Sequence, residues 1–421
     1  MTFRKESKSL TVIMILDKLP PLGVGGAETQ ALRLSKRLIQ IGVNVIFLTP
    51  GRDKIKGYGE VEGMPVYRLH SFFNYAWDIL SALKKKTVVE PVVQIEYDDA
   101  TQRTNEVTTP IVIGVKLRYL IFYFNCFFFL LRRRNKFDII HVHSMEWPSF
   151  VGAWLTKFFN KRLIIKDATM NGINGLARYP GGKEKLKAVI NEAHFVAMTK
   201  AIHNNYLSFG VPENKIIDIP NGIEITEQHK NRYADKNRKV IFVGNLSQQP
   251  AKGIDILLKA WKKVIQNYPD AKLSVVGDGP LAVYNDYLVQ NNIHKSVTLL
   301  GKREDVKNLL MESDIFVLPS RREGMPNALM EAMLLGLPCI GTDISGCQDL
   351  IADRINGILV PPANIEKLLE ALVYLMENAE AGKRMGTLAR ETICTFNSME
   401  IVSKQYLSLY FDLLNVRTVN T

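Results

Sequence analysis

Ile315-Phe316-Val317-Leu318 runs directly into Pro319-Ser320-Arg321-Arg322-Glu323-Gly324-Met325-Pro326 and then into Asn327-Ala328-Leu329-Met330-Glu331-Ala332. Four consecutive apolar residues, a polar turn with glycine and two prolines, and a run of helix formers read as strand, loop and helix. A short apolar run without alternation indicates a strand buried on both faces, as in a parallel sheet covered by helices. Pro326 suits the first helical position, where its missing N–H costs nothing. The N–H groups of Gly324, Met325, Asn327 and Ala328 then point outward together, an anion site with the helix dipole behind it. Glu323 precedes the helix and Glu331 lies inside it, so the two carboxylates address different ends of one ligand. A pyrophosphate at the N–H groups, a sugar near Glu323 and a ribose diol near Glu331 would satisfy that arrangement. Two glutamates at arbitrary spacing are more often solvated residues, so the surrounding sequence has to decide.

Working outward, the same alternation recurs along the chain. Leu10–Leu16 reads as a strand, Glu28–Ile41 as a helix ended by Gly42, and Val43–Thr49 as a strand closed by Pro50-Gly51. Asp138–Val142 and Arg162–Ile165 are further strands. After the polar stretch Glu224–Lys239, a second series follows: strand Val240–Val243, helix Ile254–Tyr268, and strands Lys272–Val276, Val297–Leu300 and Pro338–Gly341. The expected fold is α/β, with two doubly wound Rossmann-like domains facing across a cleft. The expected division is a first domain over 1–220, a linker over 221–239, a second domain over 240–395, and a C-terminal helix over 396–421 packing back on the first domain. Residues 74–110 are polar, carry Lys84-Lys85-Lys86, and read as a long connection or insertion.

Composition sets bounds on this reading. The 421 residues are 47% hydrophobic and 23% charged, which excludes collagen-like, coiled-coil and wholly disordered chains. Cys126, Cys339, Cys347 and Cys394 form neither a C-x-x-C pair nor a metal-ligand spacing with histidine, so a reducing, cytoplasmic setting is the simplest fit. The net charge of +12 is unevenly spread: residues 1–210 hold 30 Lys+Arg against 17 Asp+Glu, and residues 211–421 hold 24 against 25. Nucleic acid would explain a basic chain, but no basic stripe interleaved with stacking aromatics is present. Asp17 and Lys18 interrupt the first apolar run, which reads as a buried strand and not a signal peptide. The apolar run Tyr119–Leu131, bracketed by Arg118 and Arg132-Arg133-Arg134, is shorter than the roughly 20 residues a bilayer span needs. It reads either as an interfacial helix on an anionic membrane or as a core helix.

The residues around the opening stretch carry a resemblance. Glu323 and Glu331, the text Glu-Gly-Met-Pro-Asn-Ala-Leu at 323–329, Gly336-Leu337-Pro338 and Asn356-Gly357-Ile358-Leu359-Val360 resemble the E-x7-E region of retaining glycosyltransferases of family 4, which have the GT-B fold. The resemblance runs from about residue 10 to 375 and is strongest over 240–362. Val243-Gly244-Asn245-Leu246 followed by Lys252-Gly253-Ile254-Asp255 looks like the family's G-R-L…K-G segment, whose Arg and Lys hold the donor pyrophosphate. Lys252 carries over, whereas Asn245 stands at the Arg position. Either Arg321, Arg322 or the helix N-terminus compensates, or donor binding is weaker. Gly277-Asp278-Gly279-Pro280 resembles the family's G-D-G-P turn, and Gly301-Lys302-Arg303 lies where the family's backbone meets the nucleotide base.

Gly23-Val24-Gly25-Gly26-Ala27-Glu28 has Glu28 where a dinucleotide fingerprint needs its third glycine, which disfavours an NAD enzyme. Gly25 and Gly26 match the family's Gly-Gly loop near the donor phosphates, although glycines are also plain turn formers. Asp138-Ile139-Ile140-His141-Val142-His143 matches the D-x-x-H-x-H strand; His141 reads as structural and His143 as an acceptor-side candidate. Lys166 occupies the place of a cleft histidine at the end of the next strand. It suits an anionic acceptor or is a strand-end surface lysine.

The resemblance implies a retaining sugar transfer with Glu323 and Lys252 as catalytic residues. Its donor site would draw on Gly25, Gly26, Asn245, Gly324, Met325, Asn327, Ala328 and Glu331. No cofactor or metal is implied, since Asp98-Asp99 does not follow a strand as a metal-binding D-x-D does. The implied donor is a nucleotide sugar, UDP-sugar ahead of GDP-sugar, and the acceptor a saccharide or lipid-linked saccharide. An anionic membrane surface is implied as partner and nucleic acid is not, with a peripheral position on the cytoplasmic face. The competing expectation is a catalytically weak or inactive GT-B binding module.

Overall fold

A computed structural model describes residues 10–415 apart from 22, 24, 52–54, 71–110, 146, 168–171, 179–181, 230–237 and 248–250. The connection 74–110, with Asp98-Asp99, and much of the stretch 224–239 therefore lie outside the described residues. The strands in chain order are β1 (Thr11–Ile15), β2 (Asn44–Pro50), β3 (Gly57–Val61), β4 (Met64–Leu69), β5 (Ile139–Val142), β6 (Arg162–Lys166), β7 (Ala193–Ala197) and β8 (Ile216–Asp218). They continue as β9 (Lys239–Val243), β10 (Lys272–Val276), β11 (Val297–Gly301), β12 (Ile315–Leu318), β13 (Cys339–Thr342) and β14 (Ile358–Val360). The expected strands are all present, most with an end moved by one residue: several ladders run past the apolar stretch to take in Lys166, Lys239 or Gly301, because backbone pairing and not side-chain polarity sets where a strand ends.

The chain divides into two compact units: 1–24, 42–165 and 176–193 in the first, and 25–41, 166–175 and 194–421 in the second. In the first, β1 pairs in parallel with β2 on one side and β5 on the other, with β4 beyond β2 and β6 beyond β5. Among the described residues of this unit, β3 alone runs antiparallel, joined to β4 by a hairpin. β1 and β5 are wholly buried, as expected for parallel strands covered on both faces. The sheet order reverses between β1 and β5, and His143 follows β5 there, its N–H donating to the Ile15 carbonyl at 3.2 Å.

The helix Ile111–Leu131 begins well before the apolar run Tyr119–Leu131 that the sequence isolates. Lys116 and Arg118 interrupt the apolar text but are good helix formers, so they do not interrupt the helix. Its described inner face buries Ile121, Phe122, Tyr123, Cys126 and Leu130. Among the described residues, no helix is long and apolar enough to cross a membrane.

The second unit holds a six-stranded, fully parallel sheet in the order β11-β10-β9-β12-β13-β14. Chain direction across the sheet reverses between β9 and β12, the point where ligands enter open α/β sheets. The Ile254–Asn267 helix lays Ile254, Ile256, Leu257, Leu258, Ala260, Trp261 and Val264 inward. Each large side chain so buried contributes on the order of 1.5–3 kcal/mol. Trp261 is fully buried and its indole N–H donates to Ser296 Oγ at 3.1 Å, so its one polar atom is satisfied. The Gly26–Gln40 helix packs on the Met399–Asn415 helix in the same unit, with Arg37 3.9 Å from Glu400.

Candidate active site

β9 and β12 are neighbours, so the loops that leave their C-terminal ends are neighbours too. Two features lock them together. The Arg321 N–H donates to the Ala251 carbonyl at 2.7 Å. Gly253, at φ +65°, lies so close to Pro319 that a Cβ there would overlap the Pro319 carbonyl oxygen, which only glycine avoids. This approach carries Lys252 to Glu323: its Nζ donates to both carboxylate oxygens, at 2.8 and 3.0 Å. Ser320 Oγ adds a third bond to Glu323, at 2.7 Å, and Thr342 Oγ1 at the end of β13 donates to the Ser320 carbonyl. The Glu323 side chain is only 8% exposed, so its charge depends on these donors. Below it the Cys347 thiol is pushed far above its ordinary range, first by burial and then by the Glu323 carboxylate.

The loop then enters the Asn327–Leu334 helix. Pro326 is the residue before the helix and not its first turn, with extended backbone at ψ 118°. The anion geometry survives this one-residue correction. Among the described residues, no protein acceptor takes the N–H groups of Gly324, Met325, Asn327 or Ala328. Gly346 supports the loop from beneath, where any Cβ would overlap the Gly324 carbonyl. On the other side, the Gly244 N–H donates to the Val276 carbonyl at 2.9 Å and the Leu246 N–H to the Asp278 carbonyl at 2.8 Å. These bonds seat the Gly244-Asn245-Leu246 turn against the Gly277-Asp278-Gly279-Pro280 turn.

Asn245 is exposed, and its Oδ1 accepts the Ser247 N–H at 2.9 Å, so it shapes the turn. Arg321 does not stand in for the missing cation: its guanidinium makes a bidentate pair with Asp255 at 2.8 and 2.7 Å. That hydrogen bonding raises the Arg321 pKa further. Arg322 is exposed beside the loop. Positive charge at the site therefore comes from Lys252, the helix N-terminus and the exposed Arg322.

The second carboxylate also has a partner. Glu331 Oε1 accepts from Arg33 at 2.6 Å, one helix away in the same unit. Nearby, Gln30 Nε2 donates to Asn327 Oδ1 at 2.8 Å, and the Asn327 amide donates to the Gly26 carbonyl at 3.3 Å. The Gly25 N–H is taken by the Glu28 carboxylate at 2.7 Å. Lys252, Glu323, Gly324, Met325, Asn327, Ala328 and Glu331 thus sit on one loop-and-helix assembly, with Gly26 against it. Sequence reading missed Ser320, Asp255, Gln30 and Arg33. Ser320 stands three residues before Glu323 and Asp255 three after Lys252, so both are legible by proximity; Gln30 and Arg33 are joined to the site only by folding.

The two acceptor-side candidates are both buried. His143, in the first unit, is buried, stacks on His141 with ring centres 4.3 Å apart, and places Nε2 3.3 Å from Met14 Sδ. Lys166 is not a surface lysine. It is buried at the end of β6 with its Nζ 5.7 Å from the centre of the Tyr406 ring, and burial lowers its pKa to about 7.

Comparison with known proteins gives the family. A family model described as Glycosyltransferase Family 4 matches residues 24–227, and one described as Glycosyl transferases group 1 matches 237–378. N-acetyl-alpha-D-glucosaminyl L-malate synthase of Bacillus anthracis is 30% identical over 294 residues, which cover 67% of this chain and 76% of that one. The UDP-Gal:alpha-D-GlcNAc-diphosphoundecaprenol alpha-1,3-galactosyltransferase of Escherichia coli is 29% identical over 310 residues, covering 68% and 78%. Among solved structures, sucrose-phosphate synthase from Thermosynechococcus elongatus superposes with a TM-score of 0.74 at 18% identity, over 97% of this chain and 100% of that one. At that identity it shows the fold alone, which is GT-B. With both sheets doubly wound and these matches along the chain, the protein belongs to glycosyltransferase family 4.

Proposed function

We propose that this glycosyltransferase moves a sugar from a nucleotide sugar, a UDP-sugar ahead of a GDP-sugar, to a hydroxyl of a lipid-linked saccharide, with retention at the anomeric carbon. The observation that carries the donor half is the Lys252–Glu323 pair set beside the unpaired N–H groups at the start of the Asn327–Leu334 helix. A diphosphate fits there because both the helix dipole and a lysine meet its charge without a bound metal. Glu323 would hold the sugar hydroxyls, and Glu331 the ribose diol once Arg33 releases it. The acceptor half is supported by the Escherichia coli relative, whose name specifies UDP-Gal and a diphosphoundecaprenol-linked sugar. A lipid-linked acceptor places the enzyme on an anionic, cytoplasmic membrane face, which agrees with the positive charge gathered in residues 1–210.

In the proposed step the acceptor oxygen bonds to the anomeric carbon on the face from which the diphosphate leaves. The carbon–oxygen bond to phosphate breaks, and the acceptor proton passes to the departing phosphate oxygen. Lys252 and the helix N–H groups stabilise the charge that develops on the leaving diphosphate.

The test is transfer from a panel of UDP-, GDP- and ADP-sugars to a polyprenyl-diphosphate-linked saccharide in detergent, with wild type and Glu323→Ala. Transfer from a UDP-sugar that Glu323→Ala abolishes, with the fold intact by circular dichroism, is the expected result. Near-wild-type turnover in that variant would sink the assignment of Glu323.

A further inference from the structure

The outer faces of two helices in the first unit carry an aromatic surface that the folded unit leaves uncovered. On the Ile111–Leu131 helix, Phe124 is 48% and Phe128 54% exposed; on the Trp147–Phe159 helix, Trp154 is 54% and Phe158 58% exposed. These rings are linked through half-buried or buried neighbours. Tyr123 contacts both Phe124 and Trp154, with ring centres 5.3 and 5.0 Å apart. Phe127 contacts both Phe128 and Phe158, at 5.5 and 4.8 Å. Tyr123 and Phe127 in turn have ring centres 6.5 Å apart, so the four exposed rings form one patch, which a protein at rest in water rarely displays.

The charge on these two helices has one sign. Arg132, Arg134 and Lys136 are exposed where the first helix ends, and Lys157 is exposed between Trp154 and Phe158 on the second. Residues 111–137 and 147–166 contain no Asp or Glu. A protein partner would have to meet an aromatic face flanked by cations, with no carboxylate on either helix to set its register. An anionic bilayer needs no register: the rings enter the acyl boundary and the cations stay with the phosphates. Trp and Phe suit that boundary, Trp because its N–H remains wet while the ring is buried.

We infer that the Phe124–Phe128–Trp154–Phe158 patch is the surface through which this enzyme docks on anionic phospholipid. The inference rests on the proposed lipid-linked acceptor and adds which residues insert. It joins a second helix, with Trp154 and Phe158, to the 119–131 segment that the sequence singles out. That segment is core on one face and interfacial on the other.

The experiment uses the full chain and sedimentation with vesicles of phosphatidylcholine containing about one quarter phosphatidylglycerol. Wild type should bind these and not phosphatidylcholine alone, and should come off in about 0.5 M salt. Trp154→Ser/Phe158→Ser and Phe124→Ser/Phe128→Ser should each weaken binding about tenfold or more. Arg132→Ser/Arg134→Ser should reduce the dependence on phosphatidylglycerol and guards against a misfolded aromatic variant. Wild-type fluorescence should shift to the blue on binding, and Trp154→Phe should remove most of that shift. Transfer to a detergent-solubilised acceptor should be unchanged in every variant. Its loss from wild type would indict the proposed function, and normal transfer without vesicle binding would indict the docking surface. Aromatic variants that bind as tightly as wild type overturn the inference. So does a wild-type dimer that the same substitutions convert to monomer with no vesicle binding in either, which would make the patch a contact between copies of this chain.

Discussion

Lys166 offers a perturbation whose size follows from its surroundings. Its side chain is buried at the end of β6, 5% exposed, and burial brings its pKa from the ordinary 10.5 to about 7. In the unfolded chain the same amine keeps a pKa of about 10.4. Between those values the unfolded chain binds a proton that the native protein does not, so this lysine makes stability rise with pH. Its penalty on the native state is absent above the unfolded pKa, grows as pH falls, and is constant below about 7. Each pH unit inside the window is worth up to about 1.4 kcal/mol. From about pH 7, where half the native lysines are protonated, to about pH 8.5, the gain is on the order of 1–2 kcal/mol.

Lys166→Met keeps the length and the apolar stem and removes the proton. Urea unfolding of the full chain at the two pH values, read as the difference between wild type and Lys166→Met, isolates this group from every other titration. Wild type should gain about 1–2 kcal/mol relative to the variant on going to the higher pH. The variant should also be the more stable of the two at about pH 7. The contact with Tyr406, Nζ to ring centre 5.7 Å, works in the opposite sense, since the ring face favours the ammonium form. Equal pH slopes in the two proteins would mean that the ammonium is retained in the fold, and would refute the burial argument.

Further outcomes follow from the donor-type site. Lys252→Ala should lower kcat by about 10²–10³-fold in the transfer assay, because the departing diphosphate loses its cation, and Lys252→Arg should restore part of it. The same alanine variant leaves Glu323 buried with the Ser320 hydroxyl but no charge partner, so its thermal midpoint should fall. Gly346→Ala should weaken UDP binding in calorimetry, since its Cβ would push the Gly324 carbonyl and with it the anion-binding loop; unchanged affinity would show that the loop tolerates the shift. Chelation with EDTA should change turnover less than about twofold, because lysine and helix dipole carry the phosphate charge; a collapse of activity restored by added metal would overturn that.

Much of the second sheet was legible because its signals are local. Ile315–Leu318 is four apolar residues followed by turn chemistry, and the strand appears with those bounds. Lys272–Val276 does likewise. Boundaries slipped where local signals overlap: Pro326 satisfies either the first helical position or the residue before it, and packing selected the second. The Ile111–Leu131 helix is longer than its apolar run because helix propensity, not hydropathy, sets its start.

What the sequence alone determined is the alternation of elements and the family resemblance, since each is assembled from short local stretches that can be read one at a time. What only the tertiary structure decided is who meets whom. Lys252 reaches Glu323 across 71 positions because β9 and β12 are adjacent in the sheet. Arg321, a plausible substitute clamp in the sequence, is spent on Asp255 across 66 positions. Arg33 holds Glu331 across 298. Lys166, as polar as any surface lysine in the sequence, is buried, and Trp154 and Phe158, as apolar as any core residue, are exposed. The physical reason is the same each time: burial and pairing depend on which strands and helices become neighbours, and that depends on sheet order, which no short stretch of chain encodes.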